Sequence, residues 1–250
     1  MGLPTITVPQ YTLTIPSSEK EIKFRPFLVK EEKILLLAME GEDQKQIVTA
    51  TKEIVQNCIF GDVDVESMPA FDLEYIFLQL RGKAKGEVLE LKYKCPQCEG
   101  EIPLAINLDD VKVIKHKDHT NKIQLTEELG VVMKYPDLEL QEIIGKTVEG
   151  KSHVEGLFET IVHCIDYIYD TESTYPSKDH TKKELNDFLE SLTDDHFQKI
   201  SKFFDTLPAL KHDVELKCQN KVKGKGKHKD RKDCGYTEKM TLEGLGSFFA

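Results

Sequence analysis

Cys95 and Cys98 stand in the run Lys94-Cys95-Pro96-Gln97-Cys98-Glu99-Gly100, between the strand-like stretches Val88, Leu89, Leu91, Tyr93 and Ile102, Leu104, Ile106, Leu108. Two cysteines separated by two residues on a tight turn aim both sulfurs at one point, which is half of a tetrahedral zinc site. Cys218 and Cys234 offer the other half, preceded by Val214 and Leu216 and followed by Tyr236, Met240 and Leu242 in the same alternation. Fifteen residues intervene between this second pair, too many for a knuckle, so the Lys/Gly-rich run between them reads as an insertion into a once-short turn. Cys95, Cys98, Cys218 and Cys234 together predict an all-thiolate structural zinc site. Without metal, the same residues would be a small apolar cluster at the base of two hairpins. A thioredoxin-like redox pair fits less well, because that chemistry sets C-x-x-C at a helix N-terminus, whereas Pro103 and the alternation after Cys98 describe a strand.

The remaining candidates have plain readings. Cys58 and Cys164 fall on the apolar faces of two helical segments and are expected in the core, where free cysteine is common. The eight histidines are scattered without the H-x-x-x-H spacing of a catalytic zinc helix; only His212 and His228 lie near the proposed metal in sequence. There is no Walker loop, no G-x-G-x-x-G after a strand and no G-x-S-x-G elbow. With no identifiable nucleophile and base, the expectation is a protein that is not an enzyme and takes no small-molecule substrate.

Six cysteines in 250 residues, no signal-like apolar N-terminus and no 18-residue apolar run predict a soluble protein of a reducing cytoplasm without a membrane span. A net charge of −10 argues against general nucleic-acid binding, which needs a Lys/Arg excess to displace counterions. The exception is the run from Gln219 to Asp233, with seven Lys/Arg against two Asp. Its glycines and self-repelling charges predict a flexible exposed loop. A zinc-ribbon nucleic-acid binder using that loop is the alternative function, distinguished by a steep salt dependence of binding.

Elements must then position the cysteines. Residues 3 to 15 alternate apolar and Thr positions around Pro4 and Pro9, which restricts them to an edge strand or an extended docking arm. A strand is expected around Ile22 to Leu28, helices at Lys30 to Met39, Gln44 to Ile59 and Phe71 to Leu80, and then the first cysteine hairpin. The second half repeats that order: a strand from Gly130, a helix from Phe158 to Ile168, helices near Lys182 to Ser191 and Asp194 to Asp205, and the second hairpin. Ile161-Val162-His163-Cys164-Ile165 stands where the first half has Ile54-Val55-Gln56-Asn57-Cys58-Ile59. The fold class predicted is α+β, two related halves, each a strand plus helices plus a cysteine-bearing β-hairpin, joined by a zinc-ribbon-like site. The divisions are an extended arm at 1–20, a first repeat at 21–108, a connector at 109–129 and a second repeat at 130–250. At the C-terminus Leu242, Leu245, Phe248 and Phe249 have helical spacing, for docking on a partner or for folding back over the chain's own hairpin.

The whole-chain pattern resembles the baseplate hub assembly proteins of T4-like contractile-tailed bacteriophages. The resemblance rests on the order of Phe24-Arg25-Pro26-Phe27, Lys30-Glu31-Glu32-Lys33-Ile34-Leu35-Leu36, Ile54-Val55-Gln56-Asn57-Cys58, Tyr93-Lys94-Cys95-Pro96-Gln97-Cys98 with Ile106-Asn107-Leu108, and Leu242-Glu243-Gly244-Leu245-Gly246-Ser247-Phe248-Phe249. It implies a non-enzymatic structural or assembly role at the centre of the tail baseplate, with other hub proteins as partners. The implied location is the host cytoplasm during assembly and, for a retained component, the virion. The long Cys218 to Cys234 interval departs from the family pattern, which has a short second knuckle.

Overall fold

The computed structural model describes residues 7–41, 43–140, 153–223 and 231–248. Leu3 to Ile6, His228 and Phe249 lie outside them. Six helices are described, α1 (Val29–Glu40), α2 (Gln44–Cys58), α3 (Ala70–Lys85), α4 (His153–Cys164), α5 (Lys182–Glu190) and α6 (Asp194–Asp205). The strands are β1 (Tyr11–Thr14), β2 (Glu21–Phe24), β3 (Ile59–Phe60), β4 (Val88–Lys94), β5 (Glu101–Asn107), β6 (Lys112–Ile114) and β7 (Lys122–Gln124) in the first part of the chain. They continue as β8 (Gly130–Met133), β9 (Ile165–Tyr169), β10 (Thr174–Pro176), β11 (Ala209–Lys217), β12 (Lys221–Lys223), β13 (Arg231–Asp233) and β14 (Thr237–Glu243). The class is α+β, with antiparallel pairing at every described ladder.

Helix ends follow their caps. The Asp43 carboxylate accepts the N–H of Lys45 at the start of α2. Thr181 and Glu184 form a reciprocal capping box on α5, and Thr193 caps α6. Such side chains satisfy N–H groups that have no partner inside the helix. At the start of α1 the Glu31 carboxylate reaches back to the N–H of Leu28 at 2.8 Å and also holds Arg25 at 2.9 Å. At the other end of α3, Gly86 takes a φ of +109°, which ends the helix and turns the chain into β4.

One local arrangement of strand and helix end occurs at two places among the described residues. β2 runs into the backbone N–H of Arg25, which donates to the carbonyl of Cys58 at 2.9 Å, and Phe24 lies opposite Ile59. β8 runs into the N–H of Lys134, which donates to the carbonyl of Cys164 at 2.8 Å, and Met133 lies opposite Ile165. In both, a helix delivers its last residue, a buried cysteine, directly into a strand that pairs with the strand before it. An N-terminal neighbour adds to each unit, β1 beside β2 and β7 beside β8. The predicted helix from Phe158 to Ile168 is therefore corrected: α4 stops at Cys164, and Ile165-Asp166-Tyr167-Ile168-Tyr169 is a strand. Its β-branched and aromatic residues suit a pleated ladder, and Val131 and Val132 of β8 supply the partner.

Each unit has its own core. Ile22, Phe24, Ile54, Cys58, Leu73, Ile76 and Phe77 are buried together in the first. Val131, Met133, Ile161, Cys164, Ile165, Ile200 and Phe203 are buried together in the second. The two are in contact: the N–H of Ala70 donates to the carbonyl of Pro136 at 3.0 Å, and the rings of Phe71 and Tyr135 meet edge to face at 5.2 Å.

A third core lies under two long hairpins. The first is β4–β5, paired from Val88↔Asn107 to Lys94↔Glu101; the second is β11–β14, paired from Lys211↔Glu243 to Lys217↔Thr237. Leu89, Leu91 and Ile106 of the first and Leu210, Val214 and Leu242 of the second are buried with Leu78 of α3 and with Phe248. β6, from the connector, extends the second hairpin by pairing with β11. Leu242 belongs to β14 and residues 245–248 form a short 3-10 turn that buries Phe248, so the chain end folds back over its own hairpin. The helical spacing of Leu242, Leu245 and Phe248 is therefore corrected to a strand followed by a 3-10 turn, and folding back over the hairpin is the arrangement described for Phe248. At the other end, Tyr11–Thr14 docks as the edge strand β1, burying Leu13 and Ile15.

Candidate metal centre

The free ends of the two long hairpins carry the four cysteines. The first turn is built by two backbone bonds, Cys95 N–H to the carbonyl of Gly100 at 2.8 Å and Glu99 N–H to the carbonyl of Cys95 at 2.8 Å. Glu99 pays a left-handed backbone, φ +58°, to close it. In the second turn Cys218 N–H donates to the carbonyl of Tyr236 at 2.9 Å, and Gly235 takes the left-handed position with φ +70°. Gly100 and Tyr236 each lie two residues past the second cysteine of their pair, so the two turns superimpose in sequence as Cys95-Pro96-Gln97-Cys98-Glu99-Gly100 on Cys218-Gln219-Asn220-Cys234-Gly235-Tyr236.

What interrupts the second turn is residues 221–233. Lys221 pairs with Asp233 and Lys223 with Arg231, so β12 and β13 form a small hairpin of their own. Cys234 N–H donates to the carbonyl of Asn220 at 2.8 Å, closing the base of this insertion. The predicted flexible loop is corrected accordingly: its two flanks are paired strands, and residues 224–230 lie outside the described residues.

The four sulfurs all lie within 4.8 Å of one another. Cys95 Sγ is 3.7 Å from Cys234 Sγ, and Cys98 Sγ is 3.5 Å from Cys218 Sγ. A disulfide would need about 2.05 Å, whereas four thiolates on a tetrahedral ion at about 2.3 Å sit roughly 3.8 Å apart. The spacing therefore fits a metal site. Each close pair takes one sulfur from each hairpin, so an ion here would tie the hairpins crosswise.

The surroundings also fit. Cys95 and Cys218 are buried, with Ile102 and Leu216 packed among them and Cys98 and Cys234 at the margin. Burial opposes ionisation of Cys95, yet the N–H groups of Cys98 and Gln97 aimed at its sulfur prevail and hold its thiol down to about 7. Burial and the neighbouring sulfurs push Cys234 up to about 12, and burial raises Cys218 as well. Several thiolates crowded into one apolar pocket repel one another unless a cation sits among them.

Two polar side chains that sequence reasoning missed complete the arrangement. Asn220 Nδ2 donates to the carbonyl of Glu101 at 3.0 Å and approaches Cys218 Sγ at 3.3 Å, strapping the second turn to the first hairpin. Gly100 makes room for it, since a Cβ there would collide with Asn220 Nδ2. Gln97 Oε1 lies 3.6 Å from Cys234 Sγ in the reciprocal position. The available signal was that Gln97 and Asn220 occupy the same place in the two turns, the residue before the break or the second cysteine. Neither Cys58 nor Cys164 joins the cluster; both lie in the unit cores, where burial pushes their thiols up to about 11 and about 12. His212 sits in the ladder opposite Leu242, away from the sulfurs. Among the described residues no helix is long and apolar enough to cross a membrane.

A chain with this order of units and one cross-hairpin cysteine cluster matches the family model described as T4 bacteriophage base plate protein, over residues 8–250. The protein belongs to that family. It is 25% identical over 241 residues to "Baseplate hub assembly protein gp26" of Enterobacteria phage T4, covering 96% of this chain and 98% of that protein. No solved structure matches.

Proposed function

We propose that this protein is a structural or assembly component of the central hub of a contractile phage tail baseplate, that it acts by binding other hub proteins, and that its role is not catalytic. The observation that carries this reading is the end-to-end likeness to a baseplate hub assembly protein, with neither chain leaving a large unmatched segment. Such a protein works in the host cytoplasm while tails are built; a retained copy would also be found in the virion.

Within that role Cys95, Cys98, Cys218 and Cys234 hold one structural zinc ion. When bound, the ion supplies a cross-link between the ends of the two long hairpins, and all four protein ligands leave no open position for a substrate or water. The backbone N–H groups of Cys98 and Gln97 favour the thiolate form of Cys95, and Asn220 fixes the second turn against the first. The two halves, 21–108 and 130–250, are read as related units joined by the connector 109–129. The repeated bond from Arg25 to Cys58 and from Lys134 to Cys164 supports that reading.

The test is inactivation of the gene in the phage that encodes it, followed by electron microscopy of tail structures in infected cells. Loss of hub-containing baseplates is expected; normal tails would overturn the proposal. Mass spectrometry of purified particles then separates a retained component from an assembly factor.

A further inference from the structure

Five of the ten exposed large apolar side chains among the described residues fall on one short stretch, Leu28, Val29, Leu36, Leu37 and Met39. Val29 is 81% exposed, Leu36 53% and Leu37 56%. The inner side of α1 is spent already: Glu31 and Ala38 are buried and Ile34 and Leu35 pack on the first core. A surface helix ordinarily carries one apolar stripe with polar residues opposite, and a helix apolar on both sides is one that is covered on both sides. The outer face of α1 is in that respect a contact surface without a described occupant.

The charges on that face specify one. At 100° per residue Val29, Lys33, Leu36, Leu37 and Glu40 share an arc about 100° wide. Lys33 and Glu40 are exposed, and neither forms an ion pair with the described residues around it. They sit symmetrically about the point between Leu36 and Leu37, each about 5 Å from it along the axis at 1.5 Å per residue. An antiparallel copy of the same helix centred on that point places Lys33 of each chain against Glu40 of the other, with the leucines packed between the two ion pairs.

We propose that α1 is a self-association surface, through which two copies of this chain pair antiparallel about a two-fold axis between Leu36 and Leu37. Such a contact is isologous, the same patch serving both partners. One helix face buries less than a standard interface, so the dimer is a weak one, dissociating in the micromolar range. The inference stands apart from the baseplate reading, because it uses only the surface of α1.

The experiment is sedimentation equilibrium of the full-length, metal-loaded protein, with far-UV circular dichroism to confirm that every variant folds. Wild type dimerises at about 10–100 μM, and Leu36→Glu is monomeric. Lys33→Glu and Glu40→Lys, alone, each weaken the dimer about tenfold through like-charge contacts. The double variant, and an equimolar mixture of the two single variants, recover wild-type affinity, because both arrangements restore opposite charges across the axis. A wild type monomeric throughout that range, single variants that dimerise like wild type, or a double variant and mixture that fail to recover would each overturn the proposal.

Discussion

The backbone N–H of Cys234 donates to the carbonyl of Asn220 at 2.8 Å, so two residues far apart in sequence meet as neighbours do in the short turn of Cys95 to Cys98. The second cysteine-bearing turn is thus a C-x-x-C turn split open, with a β-hairpin set into the break.

Removing residues 221–233 and joining Asn220 to Cys234 should therefore regenerate a working knuckle. The expected outcome is unchanged metal content by elemental analysis and a stability change under about 1 kcal/mol in denaturant melts, since loop length enters closure entropy weakly. Loss of metal on excision would show that the inserted hairpin holds the turn together.

The four sulfurs and the two core cysteines should separate cleanly. Cys95→Ser is expected to abolish metal binding and cost several kcal/mol, because the energy of binding a structural ion is folding energy. Cys58→Ser is expected to retain about one zinc per chain while losing about 1–3 kcal/mol from a hydroxyl placed in an apolar core. Plasma emission spectrometry alongside thermal melts reads both; metal lost from the second variant or kept by the first contradicts the assignment.

Phe248 is fully buried against the third core, so truncation to Phe248→Ala should cost about 3–5 kcal/mol. Urea unfolding measures it. A loss below about 1 kcal/mol would mean that the chain end is not seated under the hairpins in solution.

Asp72 gives a pH signature. It is buried, Oδ1 accepts the N–H of Ser17 at 3.0 Å, and Oδ2 has no hydrogen-bond partner among the described residues. Burial raises its acid to about 6 in the folded protein, above the usual carboxylate value. The folded state then binds the proton more tightly than the unfolded chain, so this group makes stability fall as pH rises from about 4 to about 6. Asp72→Asn should be near neutral at pH 4 and stabilising by about 1–3 kcal/mol at pH 7. A difference between variant and wild type that does not change across that window would refute the account.

How much of this was legible depends on how local each feature is. The bounds of α2, α5 and α6 were readable within a residue or two because Asp43, Thr181 and Thr193 cap them with their own side chains. The clustering of the four cysteines was readable because C-x-x-C and the alternation that flanks both pairs are themselves local. The switch from α4 to β9 was not, since Ile161, Val162, Ile165 and Ile168 continue a helical period and only pairing with β8 decides otherwise. At the C-terminus Leu242, Leu245 and Phe248 share helical spacing by coincidence, with Leu242 held by the ladder opposite His212. The Lys-rich run looked like free loop because its charges repel, but its ends are pinned by the ladder from Lys221 to Asp233. Asn220 escaped notice because its acceptor, the carbonyl of Glu101, lies on the other hairpin.

The crosswise pairing of sulfurs also imposes an order in time. Cys95 and Cys234 are 139 residues apart, so during synthesis at about 5–20 residues per second the second pair emerges roughly 7–28 s after the first. Until Cys218 and Cys234 have both been made, the cluster lacks sulfurs that the finished fold brings together. A ribosome that stops short of Cys234 releases a chain that cannot close the site, whatever else it has folded. Closure of the four-cysteine cluster is in that sense a record that the chain has been made through Cys234.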